Sequence, residues 1–148
     1  MPLKCRAATV IAVTLLIWAP ISLGQSPRQS HCLSYDPALV TLSGTLARKT
    51  FPGPPNYESV KKGDKPETSW FLDLPSSICV SEDQAQPGLN PRQSGIREIQ
   101  LVLTPEQYQR DKGMVGSKVV ATGTLFGEHT AHHHTPVLLT VQTLENPK

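Results

Sequence analysis

Two heptapeptides, Val40-Thr-Leu-Ser-Gly-Thr-Leu46 and Val119-Val-Ala-Thr-Gly-Thr-Leu125, constrain the fold of this chain more than anything else in it. Both fit V-x-x-[S/T]-G-T-L. Seven residues are too few to establish a duplication, but the two segments share a physical problem. Each reads as a long strand, with Val40, Leu42 and Leu46 on one face of the first and Val119, Ala121, Gly123 and Leu125 on one face of the second. Each carries a central glycine, Gly44 or Gly123, and a glycine inside a strand marks a bulge or a sharp bend. Long, bent, strongly coiled strands are what a small closed barrel requires. In the five-stranded oligonucleotide/oligosaccharide-binding (OB) type, the first and fourth strands close the ring.

The rest of the chain supplies the other strands in that order. The first runs Leu39 to Arg48. The second runs Ser69 to Leu74, with Trp70, Leu72 and Leu74 alternating against Phe71 and Asp73, and Ile78-Cys79-Val80 continues it after Pro75. Glu98 to Leu103 alternates again, Ser117 to Phe126 is the fourth strand and Val137 to Leu144 the fifth. Between the third and fourth lies one helix signal. Thr104-Pro105-Glu106-Gln107 is a capping box with proline at the first helical position. Leu103 and Tyr108 are spaced as a hydrophobic staple, and Gly113 stands where a C-terminal stop belongs, about nine residues on. The class is mainly β, a small five-stranded OB-like barrel with one short α-helix, and an open β-sandwich with a helix across one end is the alternative. Fourteen prolines and few aromatics agree with a β-rich class. Residues 39–148 form the single domain, after a flexible lead-in over 25–38 pinned at Cys32.

Residues 1–24 have the three parts of a cleavable signal peptide: Lys4 and Arg6, the apolar run Ala7–Ile17, and small residues Ser22 and Gly24 before a cut at Gln25. The apolar run is shorter than the roughly 20 residues of a spanning helix, and Pro20 ends it. Cleavage predicts a periplasmic or secreted protein with no membrane attachment. It also removes two of 14 Lys+Arg against 12 Asp+Glu, leaving a formal charge of zero. Without net positive charge the electrostatic term that dominates nucleic-acid binding is missing, so no nucleic-acid partner is expected. Two cysteines remain, Cys32 and Cys79, and in an oxidising compartment such a pair forms a structural disulfide. There is no C-x-x-C for redox work.

Two segments could carry a function. The first is the connection 49–68, too rich in proline and glycine for a helix or central strand and dense in turn residues, Pro52-Gly53-Pro54-Pro55-Asn56 and Lys62-Gly63-Asp64. A long ordered loop of this kind is a flap over the open end of the barrel or a binding surface. The second is Gly127-Glu128-His129-Thr130-Ala131-His132-His133-His134-Thr135-Pro136, with four of the five histidines. Imidazole suits zinc or copper, so His129, His132 and His134 form a candidate metal site; hydrogen bonding to neighbouring backbone is the plainer role. No G-x-S-x-G, H-E-x-x-H or phosphate-binding glycine loop occurs, and nothing pairs Asp64, Glu67 or Asp73 as acid and base, so an enzyme is not expected.

On Cys32-x-x-Tyr35-x-Pro37, Phe51-Pro-Gly-Pro-Pro-Asn-Tyr-Glu-Ser59, Gly63-Asp64-x-Pro66-Glu67, Ile78-Cys79-Val80 and Gly123-Thr-Leu125 with His132-His-His-Thr-Pro-Val-Leu-Leu139, the chain resembles a family of bacterial exported proteins known as domain of unknown function 4431. The resemblance covers about 32–144 and implies a small exported β domain with paired cysteines; it implies no activity. Ala131 departs from the glycine expected before the histidines. The resulting expectation is a non-enzymatic binding or interaction module of the bacterial envelope. Its surface would join Phe51, Asn56, Tyr57, Glu58, Asp64 and Glu67 with His132, His133 and His134, and its partner would be an envelope protein or a glycan. A metal-binding protein using His129–His134 is the alternative.

Overall fold

The two glycine-centred heptads lie side by side and pair with each other. In the computed structural model, which describes residues 31–147, β1 (Leu39–Pro52) runs antiparallel to β4 (Lys118–Gly127). Val40 faces Gly123, Leu42 faces Ala121 and Gly44 faces Val119, so each motif's valine meets the other's glycine across a local two-fold. At Thr45, β1 passes from β4 to β2 (Pro66–Val80), pairing Thr45 with Asp73 and continuing to Pro52 with Pro66. Gly44 sits at that corner, where a Cβ would lie 2.5 Å from the Asp73 carbonyl oxygen and 2.8 Å from Leu72 Cγ. Gly123 sits at the matching irregularity between β4 and β5 (Val137–Glu145), against the Thr140 carbonyl. Both glycines are there for close approach.

β3 (Gln93–Val102) pairs antiparallel with β2 and, over Gln100–Val102, parallel with β5. The sheet therefore closes in the order β1-β2-β3-β5-β4, a ring with no second sheet among the described residues, which sets aside the open sandwich. Leu42, Leu46, Leu72, Ile99, Leu101, Val119, Leu125, Leu139 and Val141 fill its interior, as the alternation predicts. Helix α1 (Pro105–Asp111) lies between β3 and β4. Its capping box is formed on both sides: Gln107 N–H donates to Thr104 Oγ1 and Thr104 N–H to Gln107 Oε1. Tyr108 then packs edge-on to Trp70 at 4.9 Å.

Several boundaries differ from expectation. β1 runs four residues past Arg48, because Lys49–Pro52 finds partners in Pro66–Ser69; the ladder stops where two prolines face each other and neither has an N–H to give. The long connection is thus 53–65. β2 is one strand through Pro75, whose missing donor falls in the register gap between Asp73 and Ile78. β3 starts at Gln93, ahead of Glu98. Gly113 does not stop α1, which tightens into a 3₁₀ turn over Lys112–Met114.

Residues 31–38, expected as part of a flexible lead-in, are fastened to the barrel. Leu33 N–H donates to the Cys79 carbonyl, Ser81 N–H to the Leu33 carbonyl, and Tyr35 is buried with its hydroxyl on the Pro91 carbonyl at 2.8 Å. Cys32 and Cys79 form the expected disulfide. Residues 1–24, expected to be a signal peptide, and residues 25–30 lie outside the described residues. No described helix is long and apolar enough to cross a membrane.

Candidate functional site

Alternation along β2 places Phe71 opposite the core residues Trp70 and Leu72, on the outside of the ring, where a strand of an isolated barrel would face water. Phe71 is nevertheless fully buried, as is Leu138 on β5, while Ser69 and Gln100 beside them are 5 % exposed. The cover comes from the end of β1 and from the histidine segment 128–136. Phe51 reaches Phe71 at 5.7 Å, and His134 stacks on Phe51 at 3.7 Å with ring planes 10° apart. This is a second, outer apolar cluster, closed by an imidazole.

Gln100 fixes the histidine segment over that cluster. Its Oε1 accepts from His134 N–H at 2.6 Å, and its Nε2 donates to the His132 carbonyl at 2.9 Å and to Ser69 Oγ at 3.4 Å. Its own N–H donates to Thr135 Oγ1 at 3.0 Å. The buried His134 Nε2 has no hydrogen-bond partner among the described residues. Burial pushes the His134 imidazole down from its ordinary pKa, and burial with neighbouring histidines does the same to His133. A neutral imidazole is the form that stacks on Phe51 without carrying charge into the cluster.

Loop 53–65 is built around Asp64. Its carboxylate is 3 % exposed and accepts from three backbone N–H groups, Asn56 at 2.9 Å, Glu58 at 2.8 Å and Ser59 at 2.7 Å. These donors hold the Asp64 carboxyl below the usual carboxylate range. Gly53 N–H on the Lys65 carbonyl, Lys65 N–H on Pro54 and Tyr57 N–H on Gly53 complete the turn. Within it Tyr57 is held at φ 58°, the left-handed region that a bulky side chain avoids. The strain aims its ring at the histidine segment.

There Tyr57, His132 and Glu67 form a chain. The Glu67 carboxylate lies 2.7 and 2.8 Å from His132 Nδ1, and the Tyr57 hydroxyl lies 3.1 Å from Nε2. A carboxylate only accepts, so Nδ1 carries the proton; in the neutral ring Nε2 then accepts from the Tyr57 hydroxyl.

The structure thus brings Phe51, Tyr57, Glu67, His132 and His134 together. Asp64 is not a surface residue but the buried organiser of the loop, because its oxygens are taken by backbone. Asn56 and Glu58 give that carboxylate their N–H groups and keep their side chains exposed. His133 turns away to pack edge-on to His129 at 4.6 Å, both beside Phe126. His129, His132 and His134 do not converge: each has a different partner, and no group of three or more His, Cys, Asp or Glu among the described residues is placed to hold a metal ion. Phe71 and Gln100 are the site residues that the sequence does not announce. Alternation assigns both to the solvent side, and no local signal says that a loop will cover them.

Residues 98–145 match the family model described as Domain of unknown function (DUF4431). Over that segment the chain is similar to the DUF4431 family. The match runs from the end of β3 through α1 and β4 to β5, narrower than the 32–144 expected from motifs alone. It includes Gln100 and the histidine segment, whereas Phe51, Tyr57, Asp64 and Glu67 lie before it. No curated protein matches the chain.

Proposed function

We propose that this chain is an exported bacterial envelope protein that acts as a binding module. Its ligand surface is the rim where loop 53–65 meets the DUF4431 histidine segment. The observation that carries this reading is the Tyr57–His132–Glu67 chain, which ties the histidine segment to Tyr57 of loop 53–65 and to Glu67 at the start of β2, 75 and 65 residues away in sequence, at a solvent-facing edge. Loops of the first-to-second and fourth-to-fifth strands flank the ligand side of OB-type barrels. Here they present planar rings with hydrogen-bonding edges on a rigid frame, a combination suited to a glycan or an envelope protein.

The test is an amide-shift titration of the isotope-labelled, disulfide-intact protein with soluble peptidoglycan fragments and with fractionated envelope protein. Shifts concentrated in 53–65 and 129–135 support the reading. Saturable shifts confined to another face, or none with either material, overturn it. Heat on titration with micromolar zinc or copper would favour the metal-binding alternative instead.

A further inference from the structure

The Glu67–His132–Tyr57 chain has the connectivity of an activated nucleophile: a hydroxyl hydrogen-bonded to a base, and the base oriented by a carboxylate. Each member is fixed from behind. Glu67 stands on β2 opposite Phe51, the His132 carbonyl is held by Gln100, and Tyr57 is held in its strained conformation by the Asp64-centred turn. Positioning of all three by independent supports is what a reactive constellation needs. The His132 side chain is 52 % exposed, so a substrate can reach the hydroxyl–imidazole pair.

We propose that Tyr57 is a reactive phenol that accepts an acyl group from an activated ester. In the step, Tyr57 Oη attacks the ester carbonyl carbon and forms a new C–O bond. Its proton passes to His132 Nε2 while Glu67 stabilises the imidazolium, the bond to the leaving alkoxide or phenoxide breaks, and the leaving oxygen takes the proton from His132. An acyl centre fits better than a phosphoryl centre, which needs cationic clamps on its oxygens. Among the described residues no Lys or Arg hydrogen-bonds to Tyr57, His132 or Glu67. The backbone N–H groups of Asn56, Tyr57, Glu58 and Ser59 are already committed to Asp64 and Gly53, so this turn supplies oxyanion donors to neither acylation nor release, and the step rests on the hydroxyl–imidazole–carboxylate chain alone.

The experiment uses p-nitrophenyl acetate with the disulfide-intact protein, following p-nitrophenolate release and locating the acetyl group by peptide mass spectrometry. The expected result is a stoichiometric burst with acetyl on Tyr57 and none on the buried Tyr35. Tyr57→Phe should abolish the burst. His132→Gln, which can still accept a hydrogen bond but cannot take the proton, should slow it by at least about 100-fold, the lower end of general-base contributions. It should also change the form of the pH–rate profile, which a purely structural His132 would not do. Glu67→Gln should slow it by a smaller factor. A burst that survives in Tyr57→Phe, with the acetyl on His132, overturns the proposal; so does acetylation of Tyr57 no faster than that of free N-acetyltyrosinamide. The outcome is separable from the binding reading, because Tyr57→Phe keeps the ring and leaves ligand-induced shifts elsewhere on the rim measurable.

Discussion

Gly44→Ala tests the reading of the barrel corner. A Cβ at position 44 would stand 2.5 Å from the Asp73 carbonyl oxygen and 2.8 Å from Leu72 Cγ, where ordinary contact begins near 3.4 Å. About 0.9 Å must be found, and the nearer obstacle is β2 backbone, not a flexible side-chain end. Inserting a methyl into a packed site of this kind costs about 1–3 kcal/mol. The Thr45–Asp73 pairing that opens the β1–β2 ladder is the first to be strained, and losing one hydrogen bond there adds about 1 kcal/mol. Alanine recovers about 0.4–1 kcal/mol by restricting the unfolded chain. The net expectation is a loss of about 1–3.5 kcal/mol, or roughly 3–17 °C in Tm for a domain of this size. Urea unfolding followed by the fluorescence of Trp70, buried on β2, measures it. Gly113→Ala is the control: its Cβ meets nothing within 4 Å and its φ is not left-handed, so stability should stay within about 0.5 kcal/mol of the parent. If Gly44→Ala matched that control, close approach would not be the reason for the glycine, and the account of how β1 changes partners would fail.

Two further outcomes follow from the bridge and from the buried titrating groups. The disulfide links residues 47 apart in sequence, and opening a loop of that length in the unfolded chain corresponds to about 4 kcal/mol in the chain-entropy model. Cys32→Ala/Cys79→Ala, or reduction, should lower stability by up to that amount in urea titrations, and a change under about 1 kcal/mol would show that the Leu33 and Tyr35 contacts hold the segment alone. Stability should also fall with acidification. His133 and His134 are lowered by burial, so they favour the folded state above the usual imidazole value of 6.5 and withdraw that support as pH drops through their folded values. Asp64, lowered by its backbone donors, adds a second loss below about pH 4, whereas Asp73, raised by burial and by Glu98, opposes it. Thermal melts from pH 7 to 5 should show a decline that flattens in His133→Gln/His134→Gln; a rise in stability over that interval would contradict the sign.

The ring was legible because its causes are local. Alternation gave the strands, the glycine-centred repeats gave the strands that close it, and Thr104 to Gln107 gave the helix start to the residue. Boundaries are less legible, because a proline in the sequence does not say whether its missing N–H falls where the ladder needs a donor. At Pro52 and Pro66 it ends the ladder only where both partners lack a donor, and at Pro75 it lies in a register gap that no single strand reveals. The two loop segments could be picked out by composition, but their joint geometry could not. That His132 meets Glu67 and Tyr57 while His134 meets Phe51 depends on Gln100, a buried carboxamide at a position that alternation assigns to solvent. The same blindness applies to Asp64, whose burial depends on the turn closing around it.

The outer cluster bears on what kind of ligand this barrel can take. OB-type proteins receive ligands on the outward face of strands two and three, and single-stranded nucleic acids are held there by stacking on exposed aromatic rings. In this chain Phe71 on that face is fully buried and the Phe51 ring is already stacked on the chain's own His134. A planar ligand seeking that platform would have to displace an imidazole whose segment is held by two Gln100 hydrogen bonds and by the Glu67–His132 pair. Each bond lost costs about 1 kcal/mol net, and uncovering Phe71 about 1.5–3 kcal/mol more. A ligand that engages the rim as it stands, at Tyr57 and His132, bears none of that cost. On the proposed binding role, this balance favours the edge of the two loops over the strand face and leaves the stacked histidine as part of the fold.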